Sequence, residues 1–163
     1  MFYHSPIGII KIKISGSHVN ELIYVNDESE IPSEKIKLSA ESKKILQKCI
    51  IQFDEYFSGK RKMFQLPVKQ EGTVFQQRVW NELIKIPFGK TISYLQLAQR
   101  LGDAKSIRAA ASANGRNKLN IIVPCHRVIG SDGSLTGYGG GLPRKKWLLD
   151  HENKYANGVS LLF

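Results

Sequence analysis

The sequence has no long apolar run; nothing in it approaches the roughly 20 residues that a membrane-crossing helix needs. Its first residues, Met1 to Pro6, lack the basic start and apolar core of a secretory signal. Cysteine is scarce, with two in 163 residues. That excludes a disulfide-stapled scaffold, and a single bridge between Cys49 and Cys125 is not expected in a reducing compartment. Two free thiols, a cytoplasmic location and no membrane association are the expectations. Acidic side chains are also few: 14 Asp+Glu stand against 24 Lys+Arg, a formal net charge of +10. What remains is ordinary for a globular chain, with 42% hydrophobic and 23% charged residues, so disordered and collagen-like classes drop out. There is no internal repeat.

The shortage of acid is local. Residues 1–72 carry 11 Lys+Arg and 9 Asp+Glu, whereas residues 73–163 carry 13 and 5. Positive charge gathered in the second half is the footprint of a polyanion partner, or of a basic surface kept for solubility. Charge alone does not choose between them.

Periodicity gives a coarse map. Gly8 to Ser15 alternates Ile with Lys, as a half-buried strand does, and His18 to Val25 is its hairpin partner across Gly16-Ser17. Ser39 to Phe57 reads as an amphipathic helix, with Ile45, Leu46, Cys49, Phe53, Tyr56 and Phe57 on one stripe. Cys49 on that stripe is a small buried hydrophobe. Pro67 to Gly72 reads as a linker. Thr73 then caps a helix through Phe75, Val79, Trp80, Leu83 and Ile84, stopped by Pro87 and Gly89. Ser93 caps a short helix containing Tyr94, Leu97, Ala98 and Leu101. Ser106 starts another, Ile107 to Ala113. Joined by Gly102-Asp103-Ala104-Lys105, these two have a helix-turn-helix layout. Ile121-Ile122-Val123 reads as a buried strand, a Gly-rich loop spans Gly130 to Gly141, and a last helix covers Pro143 to His151 with Trp147, Leu148 and Leu149 inward. The expected class is therefore α/β (α+β). A small mixed α/β N-terminal domain, residues 1–70, precedes a mostly helical domain, residues 71–163, with a helix-turn-helix (winged-helix-like) unit.

Cys125 stands between Pro124 and His126. Proline fixes its own φ and has no N–H, so it stiffens the approach to the thiol. An ordinary thiol is only about 3% thiolate at neutral pH. A nucleophilic role needs that fraction raised, and imidazole, Arg127 and backbone N–H groups are the candidates to raise it. Along an extended chain His126 would start out on the opposite side from Cys125, so a bend or a bridging water is needed. A carboxylate is then wanted behind the histidine. Glu82, Asp103, Asp132, Asp150 and Glu152 are all available. Taken alone, a Cys beside a His is more often a buried cysteine and a satisfied histidine.

The surrounding motifs raise the signal. Val-Pro-Cys-His-Arg-Val-Ile (Val123 to Ile129), Gly137-Tyr138-Gly139-Gly140-Gly141 and Lys146 to Glu152 closely resemble the O6-alkylguanine-DNA alkyltransferases. Phe88 to Tyr94, Arg108-Ala109-Ala110 and Asn114-Gly115-Arg116-Asn117 match the same family in order and approximate spacing. The resemblance covers Thr73 to Glu152. The first half agrees only in size and mixed character with the family's ribonuclease-like N-terminal domain.

The resemblance implies a DNA repair methyltransferase that transfers the alkyl group of O6-alkylguanine, and of O4-alkylthymine, to its own cysteine once. It implies Cys125 as acceptor, His126 as the base acting through a water, and Glu152 behind it. Asn117 holds the active-site turn, and Tyr94 donates to the departing base. Arg108 enters the duplex in place of the flipped nucleotide, on a recognition helix that contacts the minor groove through Ser106, Ala109 and Ala110, with Arg116 nearby. Pro124, Val128, Tyr138, Gly139 and Gly140 form the substrate pocket. The expected partner is double-stranded DNA carrying alkylated bases, bound by a monomer. No cofactor is expected. Some relatives hold zinc through N-terminal cysteines; Cys49 is alone there, so no metal is expected either. Where some relatives carry serine, this chain has Gly139, which would favour larger adducts or O4-alkylthymine. A damage-binding protein without transfer activity and a cysteine hydrolase are the competing readings. The first type lacks the acceptor cysteine, and no feature of the sequence indicates the acyl substrate of the second.

Overall fold

The computed structural model describes residues 1–32 and 37–158. The last five residues of the expected second domain, 159–163, lie outside the described residues. The chain divides into two compact units, Met1–Gln70 and Glu71–Phe163. The class is the expected mixed α/β one, with an antiparallel sheet first and helices second.

In the first unit, β1 (Phe2–Ser5), β2 (Gly8–Ser15) and β3 (His18–Val25) form a three-stranded sheet in that order. The Ile-Lys alternation works as read: Ile10 and Ile12 are buried while Lys13 is exposed. A bulge at Lys13/Ile14 shifts the register just before the turn. Strand β1 was not legible, since four residues are too few to show a period. Helix α1 (Ala40–Phe57) is capped by Ser39, whose hydroxyl accepts from the Ser42 N–H. Its stripe buries Ile45, Leu46, Cys49, Phe53 and Tyr56. Burial pushes the Cys49 thiol up to about 12, so it is an inert core residue. The stretch from Pro67 is not a free linker at its start. The Val19 N–H donates to the Pro67 carbonyl at 2.8 Å and the Lys69 N–H donates to the Val19 carbonyl at 3.0 Å.

The second unit is built from α2 (Val74–Ile84), β4 (Ile92–Ser93), α3 (Tyr94–Arg100), α4 (Ile107–Gly115), β5 (Val128–Ile129) and α5 (Leu142–Asn157). Capping boxes start α2, from Thr73 and Gln76, and α3, from Ser93 and Gln96. Between α3 and α4 the chain turns at Gly102, whose φ of +93° suits glycine. Asp103 accepts from the Lys105 and Ser106 N–H groups, which fixes the approach to α4. Helices α2 and α3 both pack on α4. Strand β4 pairs in parallel with β5, Ile92 opposite Val128 and Ser93 opposite Ile129.

Two expectations fail here. Ile121-Ile122-Val123 is not a strand: the chain turns, and Ile121 has a φ of +73°. The run is apolar because Ile121 and Val123 are buried, and burial without a period does not separate strand from turn. Helix α5 continues past His151 to Asn157 and ends at Gly158 in the left-handed region. Leu148 and Leu149 are buried, but Trp147 is half-buried and stacks on His151 at 4.8 Å between ring centres.

Candidate active site

The chain after Pro124 forms a single 3-10 turn, Cys125–Arg127, between the buried run and β5. The Arg127 N–H donates to the Pro124 carbonyl at 3.0 Å and the Cys125 N–H to the Val123 carbonyl at 2.8 Å. Three asparagines hold this turn. Asn117 donates to the Val123 carbonyl at 2.8 Å and accepts from the Leu119 N–H at 3.0 Å. Asn114, from α4, donates to the Cys125 carbonyl at 3.4 Å. The Cys125 Sγ lies 3.8 Å from Asn120 Oδ1. The left-handed backbone at Ile121, unfavourable for a β-branched side chain, lies within this network.

Behind the turn, α5 delivers Glu152. Its Oε1 is 2.8 Å from His126 Nε2 and accepts from Arg127 Nη2 at 2.9 Å. Its Oε2 accepts from Arg127 Nε at 2.8 Å and from the Gly89 N–H at 3.1 Å. The third guanidinium nitrogen of Arg127, Nη1, donates to the Ile86 carbonyl at 2.6 Å. A Cβ at Gly89 would collide with Ala156 and press on the Glu152 carbonyl, so only glycine brings this N–H to the carboxylate. Of the five acids open to the histidine, Glu152 is the one it meets.

The charges follow from these contacts. Burial alone would raise Glu152, but His126 and Arg127 outweigh it and hold the carboxyl far below its usual range. Burial lowers His126, and the pull of Glu152 does not reverse this. A neutral imidazole facing a carboxylate places its proton on Nε2. Nδ1 is then a bare acceptor, buried and without a hydrogen-bond partner among the described residues. Cys125 departs from expectation. Burial pushes its thiol up, against the opposing effects of Asn117, Lys145 and the local N–H groups. Arg127, expected to help ionise it, is committed to Glu152 instead.

Tyr94, the first residue of α3, is placed by the β4–β5 pairing on the same strip of backbone that follows the cysteine turn. Its hydroxyl donates to the Thr136 carbonyl at 3.3 Å. With Ile107, Arg108, Ala111, Asn114, Gly115, Thr136, Gly137 and Tyr138 it lines a cavity of about 370 Å³. Of the expected pocket residues only Tyr138 is in this wall. Pro124 and Val128 are buried behind the turn, Gly140 is buried and accepts from Arg144, and Gly139 is exposed. Loop residues Thr136 and Gly137, just before the expected ones, line the cavity with Tyr138.

On α4, Arg108, Ala109, Ser112, Gly115 and Arg116 are exposed, and Ala111 is half-exposed. Ala110 is fully buried, as is Ala113, so neither offers a side chain to an outside partner. Both belong to the i, i+3 row that packs on the core, which a helix of nearly uniform small residues conceals. Ser106 is half-buried, its hydroxyl donating to the Asp103 carbonyl at 2.7 Å.

Sequence reasoning missed Asn114, Asn120 and Lys145. Lys145 is fully buried, and its Nζ donates to the carbonyls of Val128 (2.6 Å), Thr136 (2.9 Å) and Gly137 (3.2 Å). Its neighbours Arg144 and Lys146 disguise it as part of a solvated charge run. The signal was its spacing: Lys145, Leu148, Leu149 and Glu152 fall at i, i+3, i+4 and i+7, on one face.

Comparison with known proteins identifies relatives of both halves of the chain. The family model described as "6-O-methylguanine DNA methyltransferase, DNA binding domain" matches residues 74–154, and that described as "6-O-methylguanine DNA methyltransferase, ribonuclease-like domain" matches residues 1–70. A methylated-DNA–protein-cysteine methyltransferase of Methanosarcina barkeri is 42% identical over 157 residues, 93% of this chain and 97% of its own. One from Haemophilus influenzae is 38% identical over 93% of this chain and 84% of its own. Among solved structures, Mycobacterium tuberculosis O6-methylguanine methyltransferase superposes with a TM-score of 0.81 at 39% identity, over 97% of this chain and 94% of that one. The crystal structure of Mycobacterium tuberculosis OGT in complex with DNA gives 0.82 at 40% identity, over 95% and 92%. The two halves of the chain match two parts of one family, and the chain belongs to the 6-O-methylguanine DNA methyltransferases.

Proposed function

We propose that this protein repairs duplex DNA as a methylated-DNA–protein-cysteine methyltransferase, taking the alkyl group of O6-alkylguanine, and of O4-alkylthymine, onto Cys125. The observation that carries the reading is the buried His126, next to Cys125 in the chain, bonded through Nε2 to Glu152 and left with a bare Nδ1 acceptor. The thiol proton passes to Nδ1, directly or over one water, and Glu152 stabilises the imidazolium. The thiolate attacks the alkyl carbon. A sulfur–carbon bond forms, the carbon–oxygen bond breaks, and its electron pair leaves on the base. Tyr94 donates to a ring nitrogen as that charge develops, and the base takes up one proton, so none is gained or lost overall. The product is a thioether with no activated carbonyl for water to attack, so each molecule acts once. No cofactor takes part.

A cysteine only 4% exposed does not reach a base inside a stack, so the nucleotide is flipped into the cavity beside Tyr94. Arg108, exposed at the rim of that cavity, fills the gap in the duplex. Ala109 permits close approach of α4 to the minor groove, the Ser106 end of the helix faces the backbone, and Arg116 meets a phosphate. The relative crystallised with DNA supports this choice of partner. The protein works as a monomer in the cytoplasm. Residues 1–70 form the ribonuclease-like domain and residues 71–163 the catalytic and DNA-binding one.

The test is to mix the protein with duplex containing O6-methylguanine and map the modified peptide by mass spectrometry. One methyl per molecule on Cys125, lost in Cys125→Ala, is the expected result. Methyl on another residue, or activity surviving in Cys125→Ala, overturns the reading, and turnover at substoichiometric protein would indicate a hydrolase.

A further inference from the structure

The scheme above leaves one buried charge unused. Lys145 on α5 is fully enclosed, and all three donors of its ammonium end on carbonyl oxygens. It makes no ion pair among the described residues. A buried cation normally demands an opposite charge, because carbonyl dipoles repay only part of its lost hydration. The surroundings show where that charge can form. Val128 follows directly on the Cys125–Arg127 turn, and Thr136 and Gly137 line the cavity. The Thr136 carbonyl also accepts from the Tyr94 hydroxyl, and Nζ lies 5.8 Å from the centre of the Tyr94 ring. One ammonium is thus tied to the strand behind the thiol, to the cavity wall and to the phenol.

We propose that Lys145 is the counter-charge for the Cys125 thiolate and, through the same ammonium, the residue that positions the Thr136–Gly137 wall of the base pocket. The proposal rests on the alkyl-transfer reading. Coupling runs both ways: the ammonium favours loss of the thiol proton, and the thiolate favours the ammonium. It bears on a difficulty in the scheme, since burial raises Cys125 and lowers His126 and proton transfer between them is uphill; the ammonium favours the thiolate and opposes the imidazolium, whose charge Glu152 supports instead. Burial brings Lys145 down to about 8, within working range of that proton.

The titratable groups facing Lys145 are Tyr94 from α3 and Cys125 and His126 from the turn; Val128, Thr136 and Gly137 present carbonyls only. On its own helix Glu152 is bound to His126 and Arg127. Tyr94 is raised by burial and titrates above the range in question. The transfer rate therefore climbs with pH while Lys145 keeps its proton and falls as it is lost near pH 8.

The experiment measures single-turnover transfer from an O6-methylguanine duplex to Cys125 across about pH 6 to 10, for the wild type, Lys145→Met and Lys145→Arg. Lys145→Met is expected to be at least about ten-fold slower near neutral pH, the effect of removing one nearby opposite charge, and to lack the alkaline fall. Lys145→Arg keeps a charge that does not titrate here, so it should exceed Lys145→Met in rate and also lack the fall. Thiolate absorbance should appear at higher pH in Lys145→Met than in the wild type, which a purely structural role would not produce. A wild-type rate with no alkaline fall, or a Lys145→Met variant within two-fold of wild type with an unshifted thiolate, overturns the proposal. If Lys145→Met does not fold, the wild-type profile and Lys145→Arg decide it. No methyl on wild-type Cys125 at any pH would instead overturn the transfer reading itself.

Discussion

Around Glu152 the polar groups are enclosed and matched, whereas along the outer face of α4 they stand open. Glu152 collects four hydrogen bonds from His126, Arg127 and Gly89 inside the second unit. Arg108 has no hydrogen-bond or ion-pair partner among the described residues, and Ala109, Ser112 and Arg116 beside it are exposed. The first region is already complete: its charges are fixed before any ligand arrives, as chemistry at one atom requires. The second is the face proposed to meet the duplex. Substitutions should separate the two, one acting on stability and rate together, the other on engagement of duplex alone.

The largest separation is expected from Glu152→Gln. It leaves the Arg127 guanidinium buried beside a neutral amide, and breaking one partner of such a pair costs about 3–5 kcal/mol. Chemical denaturation should show a loss of that order, with transfer reduced by at least about a hundred-fold because His126 loses the carboxylate that supports its charge. Wild-type stability with abolished transfer would mean that the pair contributes chemistry but not cohesion.

Acid tests the same region without a substitution. Glu152 is held below its usual range, and burial lowers His126. The unfolded chain therefore binds more protons than the folded one below about pH 6.5, and again below the ordinary Glu value. Stability should fall as pH drops from 7 towards 4, in denaturation midpoints followed by Trp fluorescence. A flat profile would contradict the assigned charges.

On the open face, Arg108→Ala should slow transfer from duplex about ten-fold while leaving the reaction with free O6-methylguanine base unchanged, because the residue acts on flipping. Its stability should stay within about 0.5 kcal/mol of wild type, as for an exposed residue without partners. Equal slowing of both substrates would move Arg108 from the open region to the enclosed one. The smallest effect is expected at Gly139, where an added Cβ meets nothing within 4 Å. Gly139→Ser should fold normally and shift the relative rates for methylated and bulkier adducts by only a few-fold, towards methyl. Unchanged ratios would remove Gly139 from the determinants of adduct size.

The open region was the more legible in the sequence. Helix caps at Thr73 and Ser93 and the Gly102-Asp103 turn are local signals, and they located α2, α3 and α4; the resemblance singled out Arg108, which is exposed. What failed there was Ala110, which lies with Ala113 on the buried row, because a helix of uniformly small residues shows no contrast between its faces. The enclosed region was legible only in Cys125 and His126 as neighbours and, through family resemblance, in Glu152. Asn114, Asn120 and Gly89 act through amides and a backbone N–H, contacts that leave no pattern in residue type, while Lys145 shows only in its spacing with Leu148, Leu149 and Glu152. The same holds at Ile121, where an apolar run that reads as a strand is a turn, since burial alone does not specify direction.

The two-residue ladder β4–β5 has one further consequence. Ile92 and Val128 are neighbours, yet residues 94–127, which contain α3, the turn and α4, lie between them in the chain. Helices α3 and α4 are thus an excursion that leaves one strand and must come back to the other. The phenol at the exit and the thiol at the return are gauged against each other by this short splice rather than by the path between them. Exposed parts of the excursion, such as the Gly102–Lys105 turn, can lengthen or be exchanged while the splice keeps Tyr94 and the Cys125 turn in register. A chain organised this way can alter how it grips DNA without rebuilding its chemistry.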